Sequence, residues 1–211
     1  MGALERLDDG RYVVGLRLLE TVSLAPRGHG LRAVAMPFME DLFHVTRQHV
    51  LLAVREQGEA LLVGRLSARD AGPVHYRVGG RLPLAFTGVG LVLLAFAPPA
   101  VQDTAIAAYE PHQGDDDLRT PAELRRVLAE IRRGDYAVGH QSSPRPASTV
   151  AAPVREGEEV VAALSVVTPG TGTQHSEYVP AFRATARAIS RRLTEDSGRA
   201  DRGEGYGGRR R

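Results

Sequence analysis

Apolar positions along the chain switch between helical and strand spacing, and the switches mark the elements. Leu4 to Arg6 and Tyr12 to Val14 flank Asp9-Gly10, a dipeptide that favours a hairpin because both of its residues tolerate positive φ. Leu16, Leu19, Val22 and Leu24 then keep helical spacing as far as Pro26 and the Gly28-His29-Gly30 breaker, which predicts a short helix followed by a joint. A second helix is expected over residues 31–45, with Val34, Phe38, Met39, Leu42 and Phe43 as its apolar stripe and Pro37 in its first turns or at a kink.

Strand spacing follows. Residues 49–55 and 60–66 pair as a hairpin across Glu56-Gln57-Gly58-Glu59, and residues 74–78 form a further strand ended by Gly79-Gly80. Residues 91–96 read as a strongly apolar helix that Pro98-Pro99 stops. Thr120-Pro121-Ala122-Glu123 is a capping box with proline at the first helical position, so a helix runs to about Arg133 and Gly134 closes it. Residues 148–154 and 160–167 are strands joined across Glu156-Gly157-Glu158, and residues 177–193 have the pattern of a last amphipathic helix. After Glu195 the chain is Gly, Arg, Asp and Ser, a composition that buries too little to order itself.

Composition narrows the class. At 211 residues, 43% hydrophobic and 25% charged, the chain can bury one sizeable core with room for short appendages. It has no cysteine, which removes disulfides, a thiolate nucleophile and Cys-ligated metal, and fits a cytoplasmic setting. Residues 91–97 are too short an apolar run to span a bilayer, so no membrane partner is expected. The formal charge is +2, yet the segment from Arg199 to Arg211 carries five Arg against Asp201 and Glu204. The body before it is therefore slightly acidic, unlike a self-sufficient DNA-binding domain.

Candidate chemistry is sparse. No Gly-x-Ser-x-Gly, HExxH or paired-acid constellation is present, so catalysis is not expected and no cofactor is implied. His112 with Asp115, Asp116 and Asp117 has metal-binding atoms but reads as a solvated loop before a capped helix, and His44, His49 and His75 have no converging spacing. The Arg-Gly-rich end with Tyr206 reads as a solvated tail.

Five segments in order, DDGRYVVGLRLLE, LLAVREQGEALLVGRL, VGGRLPLAFTGVGLVLLAF, LAEIRRGDYAV and VAAPVREGEEVVAALSVV, resemble the IclR family of bacterial transcription regulators over roughly residues 4–193. The resemblance implies an α+β fold: a GAF-like antiparallel sheet flanked by helices, preceded by the wing of a winged helix-turn-helix and a linker helix. It divides the chain into a wing remnant (1–15), linker helix and joint (16–30), effector-binding domain (31–195) and disordered tail (196–211). It implies a small-molecule sensor controlling transcription as a homodimer or tetramer.

In that family the recognition helix precedes the wing, and Met1-Gly2-Ala3 stands there in this sequence. Two readings follow: a start assigned too late, or an effector domain without its DNA reader that acts through ligand binding and dimerisation. Arg6, Arg11 and Arg17 are the candidate DNA contacts, but Glu5, Asp8, Asp9 and Glu20 outweigh them, so only weak phosphate contact is expected.

By the same resemblance the effector pocket takes Thr87, Gly88, Val89 and Gly90 from the loop opening the apolar helix, and Gly139 or His140, Thr149, Ser165 and Val167 from the strands. Free N–H groups at a helix N-terminus favour a carboxylate. Ala85 and Leu91 stand where family members often have His and Lys, an acidic residue is missing near Gly139, and Val167 replaces a second hydroxyl. The expected effector is accordingly larger and less polar than glyoxylate or pyruvate, an organic or aromatic acid.

Overall fold

Residues 4–14, 26–68, 76–110, 120–141, 146–170 and 175–204 are described by the structure, a computed structural model. Their strands are β1 (Leu4–Arg6), β2 (Tyr12–Val14), β3 (His49–Glu56), β4 (Glu59–Leu66), β5 (Arg81–Pro83), β6 (Ala137–Gln141), β7 (Ala147–Glu156) and β8 (Glu159–Pro169). The helices are α1 (Pro26–Thr46), α2 (Gly88–Ala95), α3 (Pro99–Ala107), α4 (Pro121–Gly134) and α5 (His175–Glu204). β1 and β2 form their own hairpin, and the other six strands make one antiparallel sheet in the order β5-β4-β3-β8-β7-β6.

Alternation along β3, β7 and β8 sends side chains to two separate cores. Val50, Leu52, Val150, Ala152, Leu164 and Val166 face α1 and α5, where Met39, Phe182 and Ile189 are fully buried. Leu51, Ala53, Ala151, Ala163 and Val167 face α2 and α4. All eight residues of α2 are buried, as expected of a helix that is apolar on every side. Small residues let it settle: Ala53, Ala151 and Ala163 keep the sheet surface low beneath it. Pro153 lies in β7 past Ala151, where pairing with β6 ends, so no β6 carbonyl needs its N–H.

Several elements differ from the pattern-based expectation. Residues 28–30 are helical, not a joint: α1 starts at Pro26 and runs unbroken to Thr46. Proline suits a first helical turn, and burial of Leu31 and Ala35 against the sheet outweighs the glycine penalty of about 1 kcal/mol per residue. Pro37 sits mid-helix on the exposed side, opposite the buried Ala35 and Met39, so water can serve the carbonyl it frees. Tyr76 to Val78 are not strand, and β5 forms instead at Arg81–Pro83. Pro98-Pro99 does not merely stop α2; it starts α3, proline being placed at the first helical position.

α4 forms as its capping box predicts. Thr120 Oγ1 accepts from the Glu123 N–H at 3.2 Å. Its C-terminal left-handed residue, however, is Asp135 at φ 58° and not Gly134. α5 continues to Glu204, past residue 196 where the composition predicts disorder. Arg192 pairs with Asp196, Arg199 pairs with Asp196, and the Ser197 hydroxyl donates to the Glu156 carboxylate on the β7–β8 turn; these contacts extend the last turns. Residues 205–211 lie outside the described residues.

Candidate effector site

The site begins with the turn into α2. Thr87 is the N-cap: its hydroxyl accepts from the Gly90 N–H at 3.1 Å and donates to the Pro83 carbonyl at 3.1 Å. The first regular helical bond runs from Leu91 N–H to Thr87 O. Helix geometry thus leaves the Gly88 and Val89 N–H groups without an intrahelical acceptor. Gly90 is glycine for steric reasons, since a Cβ there would lie 2.5 Å from the Leu84 carbonyl oxygen.

The sheet meets this helix end at Thr149. A Cβ on Gly88 would lie 2.7 Å from Thr149 Cγ2 and 2.9 Å from Thr149 Oγ1, and a Cβ on Gly139 would lie 3.1 Å from Thr149 Cγ2. Strand register explains the convergence: Gly139, Thr149, Val167 and His49 are directly opposite one another across β6, β7, β8 and β3. One step along, Ala151, Ser165 and Leu51 form the next row on the same face. Ser165 is 1% exposed. Among the described residues, neither its hydroxyl nor that of Thr149 has a hydrogen-bond partner. Thr149 therefore lies against Gly88 at the start of α2, and Ser165 stands in the adjoining row of the same face, beside an otherwise apolar floor of Val167, Leu51 and Ala151.

Of the expected site residues, Thr87, Gly88, Val89, Gly90, Gly139, Thr149, Ser165 and Val167 come together. His140 does not. Strand alternation turns it to the opposite face, where its Nδ1 lies 3.2 Å from Ser148 Oγ. Ser148 spends its one hydrogen on the Gly170 carbonyl, so His140 Nδ1 is the donor in that pair. Of the two alternatives, Gly139 is the one on the site face.

A groove of about 250 Å³ opens between α3 and α4, lined by Pro99, Gln102, Ile106, Leu128 and Arg132 among others. It lies at the other end of α2. Arg132 donates to the Ala95 carbonyl and Gln102, and Gln102 donates to the Ala97 carbonyl. Those groups are engaged in closing the C-terminal end of α2, where a cation also suits the helix dipole. The Thr149 hydroxyl, by contrast, lies at the N-terminal end of α2.

Sequence reasoning missed a polar cluster on the same sheet face. Ser67 Oγ accepts from Arg65 Nε at 2.8 Å and lies 3.0 Å from Nδ1 of His49, which is 1% exposed. Arg65 Nη1 also donates to the Tyr76 carbonyl. Burial raises the Tyr76 phenol above its ordinary pKa, so its ring stays neutral. The signal available was an arginine in a strand pattern, Arg65, followed two residues on by a serine, Ser67.

The hairpin at the start differs in detail from expectation. Only Gly10 has positive φ, 84°, and the Gly10 N–H to Leu7 carbonyl bond closes a turn centred on Asp8 and Asp9. Arg11 folds back on Asp9, with Nη2 to Oδ2 at 2.6 Å and its own N–H to Oδ1 at 3.0 Å. The Arg11 guanidinium holds the Asp9 carboxyl below its ordinary pKa. Arg6 is exposed, and Arg17 lies outside the described residues.

Residues 25–191 match the family model for the C-terminal domain of the bacterial transcriptional regulator IclR. The chain belongs to the IclR family. A glycerol operon regulatory protein of Streptomyces coelicolor is 29% identical over 199 residues, 91% of this chain and 78% of that protein. The HTH-type transcriptional regulator RhmR of Escherichia coli is 32% identical over 189 residues, 86% of this chain and 72% of that protein. An IclR homolog from Microbacterium hydrocarbonoxydans, solved in complex with 4-hydroxybenzoate, superposes with a TM-score of 0.85 at 36% identity and covers 91% of this chain and 80% of its own. The antiparallel six-stranded sheet with its helices is the architecture of IclR C-terminal domains. These relatives are transcription regulators rather than enzymes. Among the described residues, no helix is long and apolar enough to cross a membrane.

Proposed function

We propose that this IclR-family chain senses an organic acid, aromatic rather than a small oxo-acid, and that the carboxylate sits against the N-terminus of α2. The observation that carries the reading is the pair of hydroxyls on one sheet face, Thr149 against Gly88 at the start of α2 and Ser165 in the adjoining row, neither with a hydrogen-bond partner among the described residues. A carboxylate seated there would accept from both hydroxyls and from the helix-end N–H groups. The Ala85, Leu91 and Val167 side chains, all buried and apolar, favour a ring over a compact polar acid. The 4-hydroxybenzoate held by the Microbacterium homolog is consistent with that chemistry.

The test is a thermal-shift and calorimetric screen of the protein against benzoate, 4-hydroxybenzoate, glyoxylate and pyruvate. Aromatic acids should bind more tightly than the oxo-acids; a preference for glyoxylate or pyruvate would overturn the reading.

DNA recognition is proposed to need a helix-turn-helix of the kind that gives several relatives their name. The β1–β2 hairpin offers little by itself, because Arg11 is neutralised by Asp9 and only Arg6 stands exposed as a free cation among the proposed contacts described. Residues 1–211 should bind a promoter fragment weakly and without sequence preference, in a manner abolished by salt. Tight, sequence-specific binding in a low-salt titration would refute this. The regulator is proposed to act as a homodimer or tetramer, which sedimentation would resolve; without a DNA reader it would act as a ligand-binding and dimerisation module.

A further inference from the structure

Arg65 is partly buried on β4, and among the described residues no carboxylate pairs with it. Its hydrogen bonds go to neutral oxygens, Ser67 Oγ and the Tyr76 carbonyl. A guanidinium withdrawn from water normally has an anion or a full set of acceptors, and this one keeps donor capacity in hand, since five N–H groups are available to it.

Its position in the sheet decides what it can reach. Arg65 is opposite Leu51, which is opposite Ser165; Ser67 follows Arg65 by two residues and touches His49, which is opposite Val167 and, beyond it, Thr149. The Arg65–Ser67–His49 cluster therefore shares one face and two adjoining rows with Ser165 and Thr149. Two strand spacings separate His49 from Thr149, about 10 Å between backbones. The floor between them is Val167, with Leu51 beside it, and both are apolar. A polar end, an apolar middle and a second polar end are aligned on one surface.

We infer that Arg65, held in place by Ser67, is the far end of the effector site and that the effector is two-ended: a flat apolar body with a carboxylate at α2 and a second oxygen acceptor, carboxylate or phenol oxygen, opposite it. The inference rests on the acid-sensing reading above and deepens it. The guanidinium donates to the second oxygen, Ser67 fixes the guanidinium by accepting from Nε, and His49 fixes Ser67. Arg65 is a specificity residue and leaves the α2 carboxylate site untouched.

The experiment is calorimetric titration of the full chain and its Arg65→Gln variant with three ligands: benzoate, 4-hydroxybenzoate and terephthalate. The wild type should bind both para-substituted acids at least tenfold more tightly than benzoate. In Arg65→Gln that preference should vanish, with benzoate affinity unchanged. Equal loss for all three ligands, or no loss for any, would overturn the inference, as would wild-type protein that binds the three alike. Arg65→Lys supplies the same comparison if the glutamine variant does not fold, because lysine keeps the charge but cannot donate to Ser67, Tyr76 and a ligand in the same planar arrangement. Failure of the wild type to bind any of the three sinks the acid-sensing reading itself, a result separate from loss of the para preference alone.

Discussion

Thr149→Val separates a hydroxyl kept for a ligand from one kept for the fold. The substitution preserves the branched shape that sits against Gly88, where Cγ2 and Oγ1 are 2.7 and 2.9 Å from a notional Gly88 Cβ, and only the hydrogen-bonding capacity is lost. Because the hydroxyl has no partner among the described residues, its removal should leave the ligand-free protein within about 0.5 kcal/mol of wild type, or slightly more stable, since valine also suits a strand. With an aromatic acid bound, the missing bond is one to a charged carboxylate, worth about 1.5–3 kcal/mol. That corresponds to a Kd raised roughly 10- to 150-fold. The assay is thermal unfolding without ligand, followed by titration with 4-hydroxybenzoate; ligand at 100 times its Kd stabilises the wild type by about 2.7 kcal/mol, and the variant at the same concentration should show much less. A variant that loses more than about 1 kcal/mol of ligand-free stability while binding within twofold of wild type would show that the hydroxyl serves the fold, and the reasoning would be wrong.

Gly88→Ala places a methyl group into Thr149, so stability should fall by about 1–3 kcal/mol, and adding Thr149→Ala should restore part of it; simple additivity in denaturant melts would rule out the contact. Gly90→Ala should be worse than Gly88→Ala, because its Cβ would meet the Leu84 and Pro83 carbonyls at 2.5 and 2.6 Å and backbone cannot step aside. Thr120→Ala should cost about 1 kcal/mol through loss of the α4 cap without changing effector affinity, measured by melting and titration together. Phe182→Ala should remove about 3–5 kcal/mol from the core between the sheet and α5, read as a lower denaturation midpoint; a loss under 1 kcal/mol would contradict its complete burial.

How far these elements are legible in the sequence depends on the distance over which their causes act. The α4 helix and the β3–β4 and β7–β8 hairpins are local matters: a capping threonine, a proline at the first helical position, and two-residue turns with Gln57 and Gly157 at positive φ. Hydrogen bonds between near neighbours decide such features, and residue type records them. The extent of α1 and α5 was not legible. Glycines 28 and 30 are weak helix formers, and the chain beyond Glu195 is polar, but Leu31 and Ala35 pack on a sheet drawn from later residues and Ser197 meets a turn 41 positions earlier.

The same division runs through the site. By itself the sequence determined the type of donor at the α2 end, Thr-Gly-Val-Gly before an apolar helix, because capping and close approach are written in adjacent residues. Only the tertiary structure put Gly139 on the face of Thr149 and His140 on the other, since a one-residue step along a strand exchanges the faces and the outcome depends on how β6 registers against β7. Tertiary structure alone also brought Arg65 and Ser67 to the rows of Ser165 and Thr149: the four residues span two hairpins, and strand order, a long-range property of the sheet, sets which of them share a surface.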